Sequence, residues 1–411
     1  MRIVMTAAHG GYGSEKVPLG GGAAICERLC RVWAGDPEID LHLFAPGPNP
    51  PEGVTYHRLE LLEQPPSSLD ELTYARFCRQ FERGITDGIL ALEGVDAVFS
   101  HDISEGPDFA RLAAAGVTCL PIFHVDVVDF FNRIYLKGIF PVERVARWAA
   151  SMPLPDVLKL VFTKQQAAVR HCPALILPSA AMGEVMARCY PELGRTEVVG
   201  WGSPEPVFAQ DQVDEAAHEL RRELGLGPGQ PFLVTLSRIS PEKGQDRLLE
   251  ALRLGRQRGE LPPGLQLAIC GQPAFMQGQR FFARLQKLAG DLPVLFPGHL
   301  GGLRKQAFLR AADLFVVASR HESYGLTTLE ALQQGCPVVA VESYGTRATV
   351  EPSFGRLVPP GAELSLRLWC TVRDLLEREA EPLKAAARAY ADRHTFARAA
   401  QRLKSLAGEL A

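Results

Sequence analysis

Short apolar runs alternate with longer amphipathic stretches along almost the whole chain. Runs of four to six apolar residues predict buried parallel strands, and stretches with helical spacing between them predict helices. In the first half the predicted strands are Arg2–Thr6, Leu41–Phe44, Ala97–Ser100, Cys119–His124, Leu175–Leu177 and Glu197–Gly200, and the clearest helices are Ala23–Trp33, Leu69–Leu92 and Met182–Cys189. Alternation of this kind is typical of open α/β sheets.

The second half repeats the pattern more regularly. Its predicted strands are Phe232–Leu236, Leu265–Cys270, Val294–Phe296, Leu314–Ala318 and Val338–Val341. The last part, Leu364–Leu410, predicts two or three helices rich in Ala, Leu and Arg. Glycine and proline concentrate after Gly200 and again after Leu224, which indicates an inter-domain linker with the helix Glu215–Leu224 inside it. We therefore divide the chain into residues 1–205 and 206–411, as two Rossmann-like domains facing a central cleft.

Composition narrows the class of protein. A chain of 411 residues is too long for one ordinary core, and 46% apolar with 22% charged residues indicates a globular protein. A formal net charge of −3 argues against nucleic-acid binding. The nine cysteines form no C-x2-C pair, and no run approaches the roughly 18 apolar residues of a membrane span. The start lacks the apolar length of a signal peptide, so we expect a cytoplasmic protein.

The segment Ser319–Val341 carries the strongest chemical pattern. Glu322 and Glu330 stand in an E-x7-E frame with Gly325 between them, after the apolar run that ends at Ser319. The first glutamate then lies in a loop at the carboxyl end of a strand, and the second lies in the following helix. Ligands bind at such strand ends in open α/β sheets, and a helix amino terminus favours an anion. Carboxylates bind hydroxyls, so the pattern predicts a ligand with hydroxyls and phosphates, such as a sugar nucleotide.

A second pattern, Ser237–Gly244, follows the first predicted strand of the second domain. It contains Arg238 and Lys243, two cations suited to phosphate oxygens. Gly244 lets the chain turn close to a ligand before the next predicted helix. A diphosphate leaving group needs such cations because negative charge develops on it as its bond breaks.

Two features of the first domain are weaker candidates. The run Gly20–Gly22 opens the helix after the first strand, where backbone N–H groups can hold phosphate or acceptor oxygens, although neither a GxGxxG nor a Walker pattern is present. His124 ends the strand Cys119–His124. His101 and Asp102 also follow a strand, but adjacent residues of an extended chain point apart, which disfavours them as a catalytic pair.

Metal ligands are not indicated. Asp126 and Asp129 follow His124 without forming a D-x-D triplet, and the chain has no H-E-x-x-H motif and no cysteine cluster. The sequence therefore predicts a metal-independent site.

The segment Asp129–Phe162 mixes aromatic residues with the cations Arg133, Lys137, Arg144 and Arg147. It is consistent with an acceptor pocket, with a face for peripheral membrane contact, or with packing helices whose cations extend into water.

Together these motifs resemble the retaining GT-B glycosyltransferases of the group 1, or GT4, family, and the similarity covers nearly the whole chain. SRISPEKG at Ser237–Gly244 resembles the family's diphosphate clamp. GHL at Gly298–Leu300 and the E-x7-E segment resemble its nucleotide region, and FGRLVPPG at Phe354–Gly361 resembles the segment that follows. The chain departs from the family in having Trp201-Gly202 where Asn-Gly is frequent, and SYGTRATVE from Ser343 where a GG…E pattern is usual.

The resemblance implies roles for individual residues. Arg238 and Lys243 would bind the donor diphosphate, Glu322 the donor sugar's hydroxyls and Glu330 the ribose, while His124 resembles the family's histidine that faces the donor sugar. The implied catalytic set is His124, Glu322, Arg238 and Lys243, and the implied donor-binding set is Gly21, Gly22, Gly298, His299, Leu300, Ser323, Tyr324, Gly325, Leu326, Thr327 and Glu330.

The resemblance also implies a reaction. A sugar would pass from a nucleotide-diphosphate sugar to a sugar, lipid-linked or small-molecule acceptor, with retained configuration and with neither metal nor further cofactor. The first domain would bind the acceptor and the second the donor. The alternatives are a sugar-nucleotide epimerase or phosphorylase on the same fold, and a non-catalytic scaffold subunit.

Overall fold

The structure is a computed structural model that describes residues 1–13, 20–62, 65–66, 69–151, 153–274 and 278–411. The chain forms two compact units, Met1–Gly200 with Ala397–Ala411, and Trp201–Phe396. The division drawn from the sequence at residue 205 lies slightly later than the start of the second unit. That division also assigned the last helix to the second domain, whereas most of this helix packs in the first unit.

The helices and strands of the first unit alternate as the apolar pattern predicts. In chain order they are β1 (Arg2–Thr6), α1 (Gly21–Ala34), β2 (Asp40–Ala45), β3 (Thr55–Arg58), α2 (Glu71–Leu90), β4 (Ala97–Ser100), α3 (Phe109–Ala114), β5 (Cys119–Pro121), α4 (Val127–Ile134), α5 (Val142–Ser151), α6 (Asp156–His171), β6 (Ala174–Leu177), α7 (Ala180–Cys189) and β7 (Arg195–Val198).

The second unit follows with the same alternation. Its elements are α8 (Gln210–Glu223), β8 (Phe232–Leu236), α9 (Gln245–Gln257), β9 (Gln266–Cys270), α10 (Gly278–Ala289), β10 (Val294–Gly298), α11 (Gly302–Ala311), β11 (Leu314–Val317), α12 (Leu326–Gln333), β12 (Val338–Val341), α13 (Tyr344–Thr349), β13 (Gly355–Val358), α14 (Leu364–Leu376), α15 (Ala380–Arg393) and finally α16 (Phe396–Leu410), which runs into the first unit.

Within the described residues, the first unit is built on a parallel sheet of order β3-β2-β1-β4-β5. The parallel pair β6–β7 continues beside β5, because Ile122 bridges Ile176 and the Phe123 N–H donates to the Ile176 carbonyl at 2.9 Å. The predicted strand Cys119–His124 is too long, since β5 ends at Pro121 and is followed by an isolated bridge at Ile122. The edge strand β3 was missed because its sequence, TYHR, is polar.

The second unit has a parallel sheet of order β10-β9-β8-β11-β12-β13. Numbered from its own first strand, this is the 3-2-1-4-5-6 order of dinucleotide-binding sheets. The strand order reverses between β8 and β11 here, and between β1 and β4 in the first unit. The carboxyl ends of these two strand pairs are where ligands bind in such folds. Strand β13 was not predicted as a strand.

Helix α16 belongs to the first unit through contacts that are distant in sequence. The Trp33 Nε1–H donates to the Ala400 carbonyl at 3.3 Å, and Lys404 Nζ lies 2.6 Å from carboxylate oxygens of both Asp36 and Glu38. The apolar face of the helix, with Leu403 and others, is buried. Partners so remote along the chain give no local signal, which explains the misassignment.

No helix in the part of the chain that the structure describes combines the length and the apolarity needed to cross a bilayer. All nine cysteines are free thiols.

Candidate functional site

The carboxyl ends of β8 and β11 carry two loops, Ser237–Gly244 and Ser319–Gly325, that are bonded to each other. The Arg320 N–H donates to the Glu242 carbonyl at 2.8 Å, and the Arg320 guanidinium donates to both carboxylate oxygens of Asp246 at 2.7 and 2.8 Å. Asp246 lies in the first turn of α9 and is buried. A bidentate pair of this kind fixes one loop against the other. Arg320 and Asp246 were not predicted from the sequence.

Gly244 sets how closely the two loops approach. Its φ is +65°, and a Cβ at this position would lie 2.1 Å from the carbonyl oxygen of Ala318 at the end of β11. Only glycine fits both the left-handed backbone and this contact. The close turn carries the preceding residue, Lys243, to the loop that contains Glu322. Gly244 was predicted to let the chain turn close to a ligand. The close approach that the structure shows is to the end of the neighbouring strand β11.

Lys243 and Glu322 form the centre of this edge of the sheet. Lys243 Nζ lies 2.8 Å from Glu322 Oε2, and the Ser319 hydroxyl donates to the same oxygen at 3.3 Å. The two side chains are 18% and 16% exposed, so the pair is sheltered but reachable. Arg238 is 44% exposed, and its Nη2 lies 3.8 Å from Glu242 Oε1, a loose contact that leaves the guanidinium able to turn toward an anion.

Helix α12 begins directly after this loop. Gly325 is its N-cap, and Leu326 and Thr327 form its first turn. Glu330, one turn further on, is buried, and its Oε2 lies 3.2 Å from Lys305 Nζ on α11. The first turn of the helix therefore presents backbone N–H groups beside one carboxylate, and the second carboxylate lies deeper next to a cation. Lys305 was not predicted, although it follows the GHL motif by a few residues.

Two predicted donor contacts serve the fold of the loop itself. The Tyr324 hydroxyl donates to the Trp201 carbonyl at 2.7 Å, and burial raises the pKa of Tyr324. Ser323 and Tyr324 pack against Gly345, where a Cβ would lie 2.5 Å from the Tyr324 nitrogen. The Tyr324 side chain is thus engaged within the unit, and its carbonyl accepts a hydrogen bond from the Thr349 hydroxyl at 3.3 Å.

The segment that departs from the family pattern has a structural role here. Thr346 is buried, caps α13 together with Ser343, and donates to the Val341 carbonyl at 2.9 Å. The Gly345 N–H donates to the Glu322 carbonyl at 3.0 Å. This segment therefore stabilises the loop that contains Glu322 through a main-chain hydrogen bond.

The GHL motif lies at the end of β10. Gly298 is the last residue of the strand, and its carbonyl accepts the Gly271 N–H at 2.7 Å. His299 follows with a partly buried side chain, and Leu300 is buried just before α11. The motif thus lies on the β9 side of β8, whereas Lys243 and Glu322 lie between β8 and β11.

In the first unit, the glycine run meets His124 at the ends of β1, β4 and β5. Helix α1 begins at Gly21, two residues earlier than predicted. A Cβ on Gly22 would lie 2.9 Å from His124 Cδ2 and 3.3 Å from Asp102 Oδ1. Glycine is required here by the packing of the imidazole, and the structure brings three predicted or considered residues together.

His124 is paired with His101. His101 Nδ1 and His124 Nε2 lie 3.2 Å apart, and the rings stack with centroids 5.4 Å apart. Burial lowers the pKa of His124 to about 4, and burial together with His124 lowers the pKa of His101 well below its usual value. Both rings are therefore neutral near pH 7, and in each ring one nitrogen is a donor and the other is an acceptor. A neutral imidazole suits hydroxyls rather than phosphates.

Acidic groups flank the histidine pair. Asp102 Oδ2 accepts the Ala8 N–H at 2.8 Å, and burial raises the pKa of Asp102 to about 6, against the opposing effect of His9. Glu105 accepts a hydrogen bond from the Tyr74 hydroxyl, and His9 Nε2 lies 3.7 Å from Glu105 Oε1. His101 contacts His124 directly, and Asp102 lies beside Gly22, which packs on the ring of His124. His9 and Glu105 were missed by the sequence reasoning.

The two aspartates after His124 have structural partners. Asp126 caps α4, accepting the Val128 and Asp129 N–H groups at 3.3 and 3.0 Å, and Asp129 pairs with Arg133 at 2.6 Å. Among the described residues, no three His, Cys, Asp or Glu side chains are grouped as a metal would require.

Comparison with known proteins finds a family match in the second half of the chain. Residues 217–392 match the model of the family described as "Glycosyl transferases group 1". The chain is 35% identical over 198 residues to the GDP-mannose-dependent alpha-(1-6)-phosphatidylinositol monomannoside mannosyltransferase of Mycolicibacterium smegmatis, covering 46% of this chain and 48% of that protein. It is 30% identical over 210 residues to the D-inositol 3-phosphate glycosyltransferase of Jonesia denitrificans, covering 49% and 48%. The chain thus spans about half the length of the curated relatives it matches.

Solved structures resemble the chain over its full length. Sucrose-phosphate synthase from Thermosynechococcus elongatus superposes with a TM-score of 0.77 at 19% identity, covering 100% of this chain and 98% of that one. Anabaena HepE in complex with UDP and glucose gives 0.69 at 17% identity, with 98% of each chain covered. These likenesses confirm the predicted GT-B fold class as two Rossmann-like α/β units. The resemblance in the motifs is also confirmed for residues 217–392, which match the model of the group 1 glycosyltransferases.

Proposed function

We propose that the protein is a retaining glycosyltransferase that moves a sugar from a nucleotide-diphosphate sugar to an acceptor hydroxyl. The observation that carries the proposal is the 2.8 Å contact between Lys243 Nζ and Glu322 Oε2 at the point where the strand order reverses. A cation for phosphate oxygens and a carboxylate for sugar hydroxyls stand side by side there. One ligand that carries both groups is a sugar diphosphate.

The donor would be held by groups of the second unit. Lys243 and the exposed Arg238 would neutralise the diphosphate, and the first turn of α12 would add backbone N–H donors. Glu322 would accept hydrogen bonds from sugar hydroxyls, and Glu330 from the ribose. Because Lys243 already neutralises Glu322, a donor phosphate would compete for this cation, and the carboxylate would be freed for hydroxyls.

The reaction would break the bond between the anomeric carbon and the diphosphate oxygen and form one to the acceptor oxygen. The acceptor's proton would pass to the leaving diphosphate, on the same face of the sugar. Lys243 and Arg238 would stabilise the charge that develops on the diphosphate, which is the largest electrostatic demand of the step. No metal or further cofactor enters this scheme.

The first unit would bind the acceptor. Its neutral histidine pair, the partly buried Asp102 and the buried Glu105 offer acceptors and donors for hydroxyl groups. His124, beside Gly22, would contribute its ring or its carbonyl to a sugar hydroxyl. Relatives named for phosphatidylinositol monomannoside and for D-inositol 3-phosphate suggest a polyol-containing acceptor, lipid-linked or soluble.

The experiment is a thermal-shift panel of UDP-, GDP-, ADP- and dTDP-sugars, followed by a transfer assay with the donor that binds. A ligand that binds only the folded protein raises the melting temperature by mass action. The Lys243→Ala variant should lose the shift, while Lys287→Ala, an exposed cation on α10, should keep it.

The outcomes separate the alternatives. Donor binding followed by transfer to an inositol- or sugar-containing acceptor supports the proposal. Isomerisation of the donor without acceptor would indicate an epimerase. Donor binding without any turnover would indicate a scaffold, and no shift with any nucleotide sugar would contradict the donor assignment itself.

A further inference from the structure

The turn between α4 and α5 exposes large apolar side chains to solvent. Tyr135 follows the last residue of α4 and is 58% exposed, and Ile139, in the same turn, is 72% exposed. Single exposed apolar residues are ordinary on protein surfaces. These two lie within one short turn, and Phe131 stacks on Tyr135 with ring centroids 5.3 Å apart. The turn is therefore a local apolar projection.

The conformation of this turn is fixed by hydrogen bonds. Lys137 has a φ of +55°, which is uncommon for a residue other than glycine. The Gly138 N–H donates to the Asn132 carbonyl at 2.9 Å, and the buried Asn132 side chain donates through Nδ2 to the Phe140 carbonyl at 2.7 Å. A buried amide thus holds a strained turn in place. The backbone conformation that these hydrogen bonds fix therefore keeps Ile139 exposed.

Helix α5 extends the same surface. Its exposed residues Arg144, Arg147, Trp148 and Ser151 follow the i, i+3, i+4, i+7 spacing of a single helix face. Trp148 is 38% exposed and packs edge-on against Phe140, with ring centroids 4.9 Å apart, which joins this face to the turn. The opposite face of α5, with Val142 and Val145, is buried. We call the turn 135–139 and the exposed face of α5 the α4–α5 surface.

The charge of the α4–α5 surface is positive. In the described parts of the chain, Lys137, Arg144 and Arg147 form no ion pair with an acid. The acids nearby are already engaged, since Asp129 pairs with Arg133 at 2.6 Å and Glu143 with Arg188 at 2.9 Å. The cations therefore offer their charge to an external partner.

We propose that the α4–α5 surface binds an anionic lipid bilayer peripherally, with Ile139, Tyr135 and Trp148 entering the headgroup region. Tyr and Trp favour the interface of a bilayer, and arginine and lysine beside it are attracted by anionic headgroups. The exposed cations Lys137, Arg144 and Arg147 on this surface favour a bilayer over a second copy of the chain, because two such positively charged surfaces would repel each other. The proposal does not depend on the proposed sugar transfer.

The test is sedimentation of the protein with vesicles of phosphatidylcholine alone and of phosphatidylcholine with phosphatidylserine. The unmutated protein should sediment with the mixed vesicles, and raised salt should weaken this binding. Ile139→Glu should weaken it about tenfold or more, because a charge replaces the inserted side chain. Arg144→Gln with Arg147→Gln should weaken it about fivefold for each cation removed, and only on the anionic vesicles.

Matched controls come from elsewhere on the chain. Val198 in β7 is 51% exposed, so Val198→Glu changes an exposed apolar residue outside the α4–α5 surface. The exposed arginines Arg31 and Arg378, changed together to Gln, control for loss of two positive charges. Both controls should bind as the unmutated protein does, and thermal melts should show that every variant is folded.

Three results would overturn the proposal. One is failure of the folded, unmutated protein to bind anionic vesicles. Another is equal loss of binding in Ile139→Glu and Val198→Glu. The third is an Ile139-dependent dimer in analytical ultracentrifugation without vesicle binding, which would assign the α4–α5 surface to self-association.

Discussion

The two units present the same topological position with opposite chemistry. In both, the strand order reverses at the first strand, and functional candidates gather at the strand ends there. In the second unit this edge holds exposed or half-buried cations, Arg238 and Lys243, beside Glu322. In the first unit it holds the neutral histidines His101 and His124 with partly buried acids.

The difference indicates that the fold determines where a ligand binds, at the carboxyl ends of the strands, whereas the side chains there determine which ligand binds. Strand topology places candidate residues at the same position in each unit, and among the described residues those of the second unit carry charge suited to a diphosphate. The first removes charge by burial, since desolvation lowers histidine pKa values and raises that of Asp102. Such an edge suits a hydroxyl-bearing acceptor. The predictions below test this contrast, beginning with the largest expected effect.

Removing the cations should abolish most activity. Lys243→Ala and Arg238→Ala should each lower turnover by about 10²-fold or more, because preorganised charge on the leaving group is lost. The measurement is donor consumption in the presence of acceptor. Lys287→Ala should act as the unmutated protein does. Near-normal turnover in both the Lys243 and the Arg238 variant would mean that the carboxyl ends of β8 and β11 are not the diphosphate site.

The two glutamates should separate rate from affinity. Glu322→Gln should lower the rate at saturating donor about tenfold to a hundredfold, since a hydrogen bond to a charged group contributes about 1.5–3 kcal/mol. Glu330→Gln should instead raise the KM for donor by a similar factor. Steady-state kinetics on both variants decides, with Glu351→Gln, at an exposed position, as the control. A pure affinity defect in both would leave the carboxylates as binding groups only.

The partly buried acid of the first unit should have a pH signature in stability. The pKa of Asp102 is raised from 3.8 to about 6, so its contribution to stability is present at low pH and is lost as pH rises through about 6. Asp102→Asn removes this penalty. The free energy of unfolding of this variant, relative to the unmutated protein, should therefore rise by about 1–3 kcal/mol between pH 4 and 7. The measurement is the difference in melting temperature between the two proteins across this pH range. The lowered pKa values of the histidine pair change stability with pH in the opposite direction. Because both proteins contain this pair, its contribution cancels in the comparison.

An exposed aspartate offers a control of opposite sign. The hydrogen bond from Lys404 lowers the pKa of Asp36, so this group stabilises the fold above its ordinary pKa and ceases to do so in acid. The melting temperature of Asp36→Asn relative to the unmutated protein should therefore fall as pH rises. If Asp102→Asn followed the same direction, the buried and electrically neutral character assigned to the first unit's edge would be wrong.

Removing divalent metal should have the smallest effect. Because cations of the protein itself are proposed to neutralise the diphosphate, activity should persist in excess EDTA. The measurement is turnover before and after chelation, with magnesium or manganese added back. Loss of activity restored by either ion would show that the charge of Lys243 and Arg238 is insufficient.

Much of the fold could be predicted from the sequence because buried parallel strands are continuous apolar runs. β1, β4, β8 and β12 have the predicted bounds. The polar edge strand β3 and the short strand β13 were missed, since neither has such a run. Of the site, the sequence indicated Lys243 and Glu322, because a cation and a carboxylate after strands are rare in apolar surroundings. It did not indicate Asp246, Arg320 or Lys305, whose importance depends on partners far along the chain.

The sequence alone determined the strand–helix alternation, the positions of the two chemical loops and the resemblance of residues 217–392 to group 1 glycosyltransferases, because these depend on local periodicity and short motifs. Tertiary structure decided that Lys243 meets Glu322, that Gly22 is required by the ring of His124, and that α16 returns to the first unit. It also decided which acids and histidines lose their charge. Those outcomes depend on burial and on contacts between residues distant in sequence, which no local pattern encodes.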